Sequence, residues 1–214
     1  PSDIQDLLKE LATAGKRQGG LWSAAGTLSA SAGTSVRLAM LAIVFRSAGL
    51  PDDFAQAKFV IWLKQKGYFD TVNKYVEKQG FSLHEELQNM YVSPHLADGL
   101  LSAYPDFANN AKDARGLIKT QFARKEDISD DELITTLEDV LELQQEASGR
   151  LPLTLLVLDE LQQFIGDDQQ RALHVQEVVQ ACSTRFGSRL LFVGTGQASL
   201  QGNPQLSRLK DRFT

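Results

Sequence analysis

The strongest constraint on this chain lies between Pro152 and Glu160, where a short apolar run, Leu153 to Leu158, ends in two adjacent carboxylates, Asp159 and Glu160. Apolar residues at consecutive rather than alternate positions suit a strand covered on both faces, as in parallel sheets. Pro152 is tolerated at the start of such a strand, where it removes no ladder bond. Leu190 to Val193 forms a second run of the same kind. Between the two, Val175, Val178, Val179, Cys182 and Phe186 share one helical stripe, and Gly187 stops it. Strand, helix and strand in this order make a βαβ unit. Its right-handed crossover sets the strands parallel and brings both carboxyl ends to one edge, where open α/β sheets bind their ligands.

The earlier part of the chain reads less regularly. Ile4 to Leu11 suits a short amphipathic helix, and Gly19 to Leu28 a short strand and loop. Val36, Ala39, Met40, Ile43 and Val44 recur at helical spacing, with Thr34 or Ser35 as N-cap, Gly49 as terminator and Pro51 beyond. Leu38, Leu41 and Phe45 fill the opposite side, so this helix is expected between two layers. From Asp52 to Ala123, amphipathic segments separated by Gly67, Gly80, Pro94 and Pro105 predict an all-helical insertion whose aromatic residues pack a core. Ser129 and Glu132 form a capping box before Leu133, Leu137, Val140 and Leu141, predicting a helix to about Ala147 that Gly149 ends. The chain thus divides into residues 1–51 as the first part of an α/β core, 52–127 as a helical insertion, and 128–214 as the rest of the core.

A chain of 214 residues, 43% of them hydrophobic, can bury a real core. Its net charge of −5 gives no general attraction to a polyanion, so DNA contact is expected to be indirect or through other regions. Cys182 stands alone, and His84, His95 and His174 are scattered, which leaves neither a disulfide framework nor a His/Cys metal spacing. The longest apolar stretch, Leu38 to Phe45, falls far short of the roughly 20 residues that span a bilayer. A cytoplasmic protein without a membrane partner is expected. Both ends read as cuts within a longer polypeptide.

Asp159 and Glu160 at a strand's carboxyl end match the Walker B pattern. There the aspartate holds Mg²⁺, usually through water, and the glutamate polarises the water that attacks the γ-phosphate of ATP. Acids also follow buried strands simply because the chain re-enters water. The neighbouring strand leads into Gly194, Thr195, Gly196 and Gln197, which puts a hydroxyl at the position of a γ-phosphate sensor, with Gln197 as a weaker nucleotide-binding candidate. Near the end, Leu206, Leu209 and Phe213 frame Arg208, Lys210, Asp211 and Arg212. Arg212 is open between an arginine finger acting on a neighbouring subunit and the solvated face of an amphipathic helix. No G-x-x-x-x-G-K-[ST] sequence occurs, and the nearest Gly-Lys pair, Gly15 and Lys16, is followed by Arg17.

The string LPLTLLVLDELQQFIGDD, continuing through HVQEVVQACSTRFGSRLLFVGTGQASL to LSRLKDRF, resembles the large P-loop ATPases of bacterial phage-resistance systems, the bacteriophage exclusion (BREX) and phage growth limitation proteins. The resemblance covers Leu151 to Phe213 and is compatible over Leu21 to Pro51. It implies an incomplete, parallel-sheet P-loop NTPase core of the AAA+ type with a helical insertion. ATP and Mg²⁺ are the implied cofactors, with Asp159 at the magnesium position, Glu160 as catalytic glutamate, Thr195 as sensor and Arg212 as arginine finger. It places the phosphate-binding Walker A loop upstream. The implied partners are other proteins of a cytoplasmic defence complex and further copies of the chain. The alternative is a non-hydrolysing scaffold or regulatory domain that binds protein partners through its helical insertion.

Overall fold

Among the described residues three parallel strands form one sheet: β1 (Leu21–Thr27), β2 (Leu153–Asp159) and β3 (Leu190–Gly194), hydrogen-bonded in the order β1-β2-β3. The computed structural model describes residues 2–28, 35–145 and 149–196. It divides the chain into two units, an α/β unit drawn from the described residues up to Gly49 and from Glu126 on, and a helical unit, Leu50–Lys125.

In the α/β unit, helix α1 (Ser2–Gln18) precedes β1, α2 (Val36–Ser47) follows it, and α8 (Asp130–Leu143) leads back towards β2. After β2 come the short α9 (Leu161–Ile165) and the long α10 (Gln169–Phe186), which returns the chain to β3. Leu156 and Leu158 of the central strand are buried, as are Met40, Leu41, Ile43, Val44 and Phe45 of α2 and Val175, Val178 and Cys182 of α10. Helix α2 packs on β1 and α10 on β3, while α8 lies against both helices. This one-sided helical layer explains why α2 is apolar nearly all round. Gly26 of β1 makes room for it, because a Cβ there would stand 3.2 Å from Ile43.

One largely buried cation ties the layer together. Arg37 of α2 donates from Nε to Asp130 Oδ1 at 2.6 Å and lies 3.4 Å from Asp127 and 3.7 Å from Glu177 of α10. Burial alone would lower its pKa, but the hydrogen bond and charge of Asp130, then Asp127 and Glu177, raise it. The arginine therefore stays charged and holds three segments in register.

Helix boundaries follow local capping. The Ser35 and Ser129 side chains accept from Leu38 N at 3.3 Å and Glu132 N at 3.2 Å, and Asp168 opens α10 by accepting from Gln170 N and Arg171 N. Helix α1 runs well beyond the expected Leu11, because Thr13, Ala14 and Gly15 continue the turn without adding apolar periodicity. Helix α8 closes at Leu143 rather than near Ala147. Gln144 N donates to Leu141 O at 3.1 Å and ends the ladder; residues 146–148 lie outside the described residues.

The helical unit comprises α3 (Phe54–Gln65), α4 (Phe69–Lys78), α5 (Leu83–Gln88), α6 (Pro94–Ala103) and α7 (Ala111–Gln121), with a 3₁₀ turn at Pro105–Phe107. Asp53, Ser82, Ser93 and Asn110 cap α3, α5, α6 and α7. The aromatic residues pack on one another: Phe59 meets Phe122 edge-on at 5.2 Å, and Tyr68 stacks on Tyr104 at 5.3 Å. Among the described residues no helix is long and apolar enough to cross a membrane.

Ser129→Ala should lower unfolding stability by about 1 kcal/mol in urea titration, since the first turn of α8 loses its acceptor. Burial, followed by the charge of Asp130, pushes the Cys182 thiol from 9.0 up to about 12. The unfolded thiol then deprotonates first, so this group's contribution to stability is intact below pH 9 and falls as pH rises towards 12. Native protein should resist a thiol reagent and react only on unfolding.

Candidate functional site

Asp159 is the last residue of the central strand, and both neighbouring strands bring a hydroxyl to it. On β1, Thr27 is its register partner, and Thr27 Oγ1 donates to Asp159 Oδ2 at 3.4 Å. On the other side, the chain leaves β3 through Thr195, whose backbone N–H still donates to Leu158 O at 3.1 Å. That ladder bond sets the Thr195 side chain beside the carboxylate, and its Oγ1 donates to Asp159 Oδ1.

The Thr195 hydroxyl does a second thing. It accepts the Glu160 backbone N–H at 3.0 Å. One hydroxyl thereby fixes the Asp159 carboxylate and the Glu160 backbone: its proton goes to the aspartate, and a lone pair takes the backbone amide of the glutamate.

Glu160 is the only non-glycine residue with positive φ among the described residues, at φ 55° and ψ 31°. A left-handed conformation costs a residue with a Cβ roughly 1–2 kcal/mol. The cause is the next residue. Leu161 is buried and begins α9 at once, so the chain must turn from strand to helix at a single position. The space for Leu161 comes from Gly194, where a Cβ would stand 2.6 Å from Leu161 Cδ2. A second glycine, Gly196, lies comparably close to Gln162, whose Oε1 would be 2.8 Å from a Cβ there. These two small residues let the end of β3 and the start of α9 converge on the carboxylates. Strain held by such surroundings is a mark of functional sites. Beyond α9, Arg171 Nη1 donates to Phe164 O at 2.7 Å and its guanidinium lies over the Phe164 ring, which anchors the turn to α10.

Asp159, Thr27 and Thr195 are exposed and Glu160 is half-buried, so the cluster is open to solvent at the carboxyl edge of the sheet. Its donors are hard oxygens: one carboxylate held by two hydroxyls, with a second carboxylate adjacent. Such a set suits Mg²⁺, which keeps much of its water and takes one or two carboxylates from protein. Among the described residues no group of three or more His, Cys, Asp or Glu side chains is assembled.

Of the residues singled out in the sequence, Asp159, Glu160 and Thr195 come together here. Gln197 and Arg212 lie outside the described residues. Thr27 escaped the sequence reading, because its place opposite Asp159 is a matter of strand register. Comparison with protein-family models, with curated proteins and with solved structures finds no match to this chain.

Replacing Thr195 by Val should leave the Glu160 amide and Asp159 Oδ1 without their shared partner and cost about 1 kcal/mol, with Ser restoring it. At the left-handed position, Glu160→Gly should be more stable than Glu160→Ala by about 1 kcal/mol in chemical denaturation. Equal stabilities would remove the strain assigned to the turn.

Proposed function

We propose that this chain carries the magnesium-binding and water-activating half of an ATP-hydrolysing site, in an AAA+-like P-loop ATPase of a bacterial phage-defence complex of the BREX or phage growth limitation kind. The observation that carries the reading is the Thr195 hydroxyl joining Asp159 to the Glu160 amide at the carboxyl edge of a parallel sheet. The bridge orients the Asp159 carboxylate and fixes the backbone from which the Glu160 side chain departs.

In the proposed site Asp159 would hold Mg²⁺, with Thr27 and Thr195 fixing the rotation of its carboxylate. The ion would neutralise phosphate charge. Glu160 takes a proton from the attacking water as the new bond to the γ-phosphorus forms and the bond to the ADP oxygen breaks. Thr195, with its proton committed to Asp159, is a positioning residue for the pair. Gln197 and Arg212 keep the roles their sequence context suggests, as nucleotide contact and as arginine finger towards a second subunit. The cycle would couple ATP binding and hydrolysis to conformational change in a cytoplasmic assembly with other defence proteins.

Without a G-x-x-x-x-G-K-[ST] sequence in these 214 residues, the backbone cradle for the phosphates would, on this reading, be supplied by a loop elsewhere in a longer polypeptide. That same lack favours a second reading, a non-hydrolysing scaffold that keeps the fold and binds protein partners through the helical unit. Phosphate release by the complete polypeptide separates the two. Glu160→Gln should retain ATP binding and lose at least about a hundredfold in turnover, the scale of a lost general base. Wild-type turnover by that variant would remove Glu160 from its role, and no hydrolysis by the unsubstituted protein would leave the scaffold.

A further inference from the structure

Two helices, one in each unit, leave apolar side chains in solvent beside charges of opposite sign. In α1, Leu7 and Leu11 stand one turn apart and are 63% and 52% exposed. Asp6 and Glu10, separated by the same four residues, flank the leucines and are exposed as well. Asp6 meets Lys9 of its own helix at 3.3 Å, but both side chains lie largely in water, where such a pair holds little. An amphipathic helix of 17 residues ordinarily buries its leucine stripe.

In the helical unit, Leu117 of α7 is 38% exposed. It borders a groove between α7 and the Pro105–Phe107 turn, lined also by Phe107, Asp113, Gly116 and Thr120. A Cβ added at Gly116 would touch nothing, so this stretch of α7 presents bare backbone that a second helix can approach closely. Lys112, Arg115 and Lys119 recur at three- and four-residue spacing along one flank of α7, and no acid among the described residues pairs with them.

The two surfaces match when the helices run antiparallel. Asp6 and Glu10 precede Lys16 and Arg17 in α1, and Asp113 precedes Arg115 and Lys119 in α7. Antiparallel packing sets Asp6 level with Lys119 and Glu10 level with Arg115, while Leu7 and Leu11 lie over Gly116 and Leu117. The open face of the sheet is the rival seat for these leucines, since it exposes Leu155, Leu191 and Val193. Among the strand residues in register on that face the one charge is the carboxylate of Asp159, which offers nothing to the acidic flank of α1.

We propose that α1 of one molecule docks antiparallel in the α7 groove of a second copy, as a weak and salt-sensitive self-association surface. Charge complementarity selects the occupant, because the chain itself carries both halves of the match at the same helical spacing. The proposal does not depend on the ATPase reading.

Sedimentation equilibrium of the complete polypeptide tests it. Asp6→Lys with Glu10→Lys should weaken self-association at least about tenfold, as two attractions become repulsions, and Arg115→Glu with Lys119→Glu should do the same. All four substitutions in one chain should restore it, which general damage to either helix cannot do. A tagged Leu7→Cys chain mixed with a Leu117→Cys chain should also form a disulfide-linked pair under mild oxidation, with buried Cys182 out of reach. A protein that stays monomeric, or a charge exchange that fails to restore association, would overturn the proposal. So would a cross-link that forms only within single chains carrying both cysteines.

Discussion

Everything in the α/β unit depends on β2 being paired on both sides. A parallel strand whose backbone is satisfied by two neighbours needs no polar side chains along its length, and Leu156 and Leu158 can be sealed beneath α2 and α10. The pairing also aligns three carboxyl ends. Asp159 thus arrives between Thr27 and Thr195 without any loop having to carry it there, and a residue fixed by a sheet is held more rigidly than one on a loop.

The turn after Asp159 shows what that placement costs. Glu160 takes up a left-handed conformation so that Leu161 can enter the core immediately, and Gly194 and Gly196 give up side chains to let it. The one left-handed non-glycine among the described residues and two of the close glycine approaches lie beside the carboxylates, whereas Gly15 and Gly19 make equally close approaches to Leu21 and Arg150 at the other end of the strands. A left-handed glutamate beside a polar cluster is the kind of departure from local preference that functional sites tolerate. The Arg37 cluster contrasts with it: an arginine satisfied by three acids holds α2 to α8 and α10 and leaves nothing reactive.

How much of this the sequence disclosed varies with the range of the interactions. The β2 and β3 runs, the helix between them and the Ser129 cap are legible because each is set by neighbours within one turn or strand. The extent of α1 is not, since Thr13, Ala14 and Gly15 add no apolar periodicity to the pattern that ends at Leu11. Asp159 and Thr195 could be matched because both follow apolar runs. Thr27 could not, as nothing in LWSAAGT reveals that it faces Asp159 across a strand pair. The left-handed turn at Glu160 was equally hidden, because only the burial of Leu161 in the folded core forces it. Gln197 and Arg212 rest on their sequence context alone.

The proposed role of Asp159 and its bridged neighbour as a magnesium-dependent nucleotide site makes ATP affinity depend on both the ion and the aspartate. Isothermal titration of the complete polypeptide with ATP, with and without Mg²⁺, in wild-type and Asp159→Asn forms, tests it most directly. Mg²⁺ should strengthen binding in the wild type, and the affinity for Mg-ATP should weaken by roughly 10–100-fold in the variant, the scale seen when a metal site loses a supporting group. No heat of ATP binding, or identical Mg²⁺ dependence in both proteins, would contradict it.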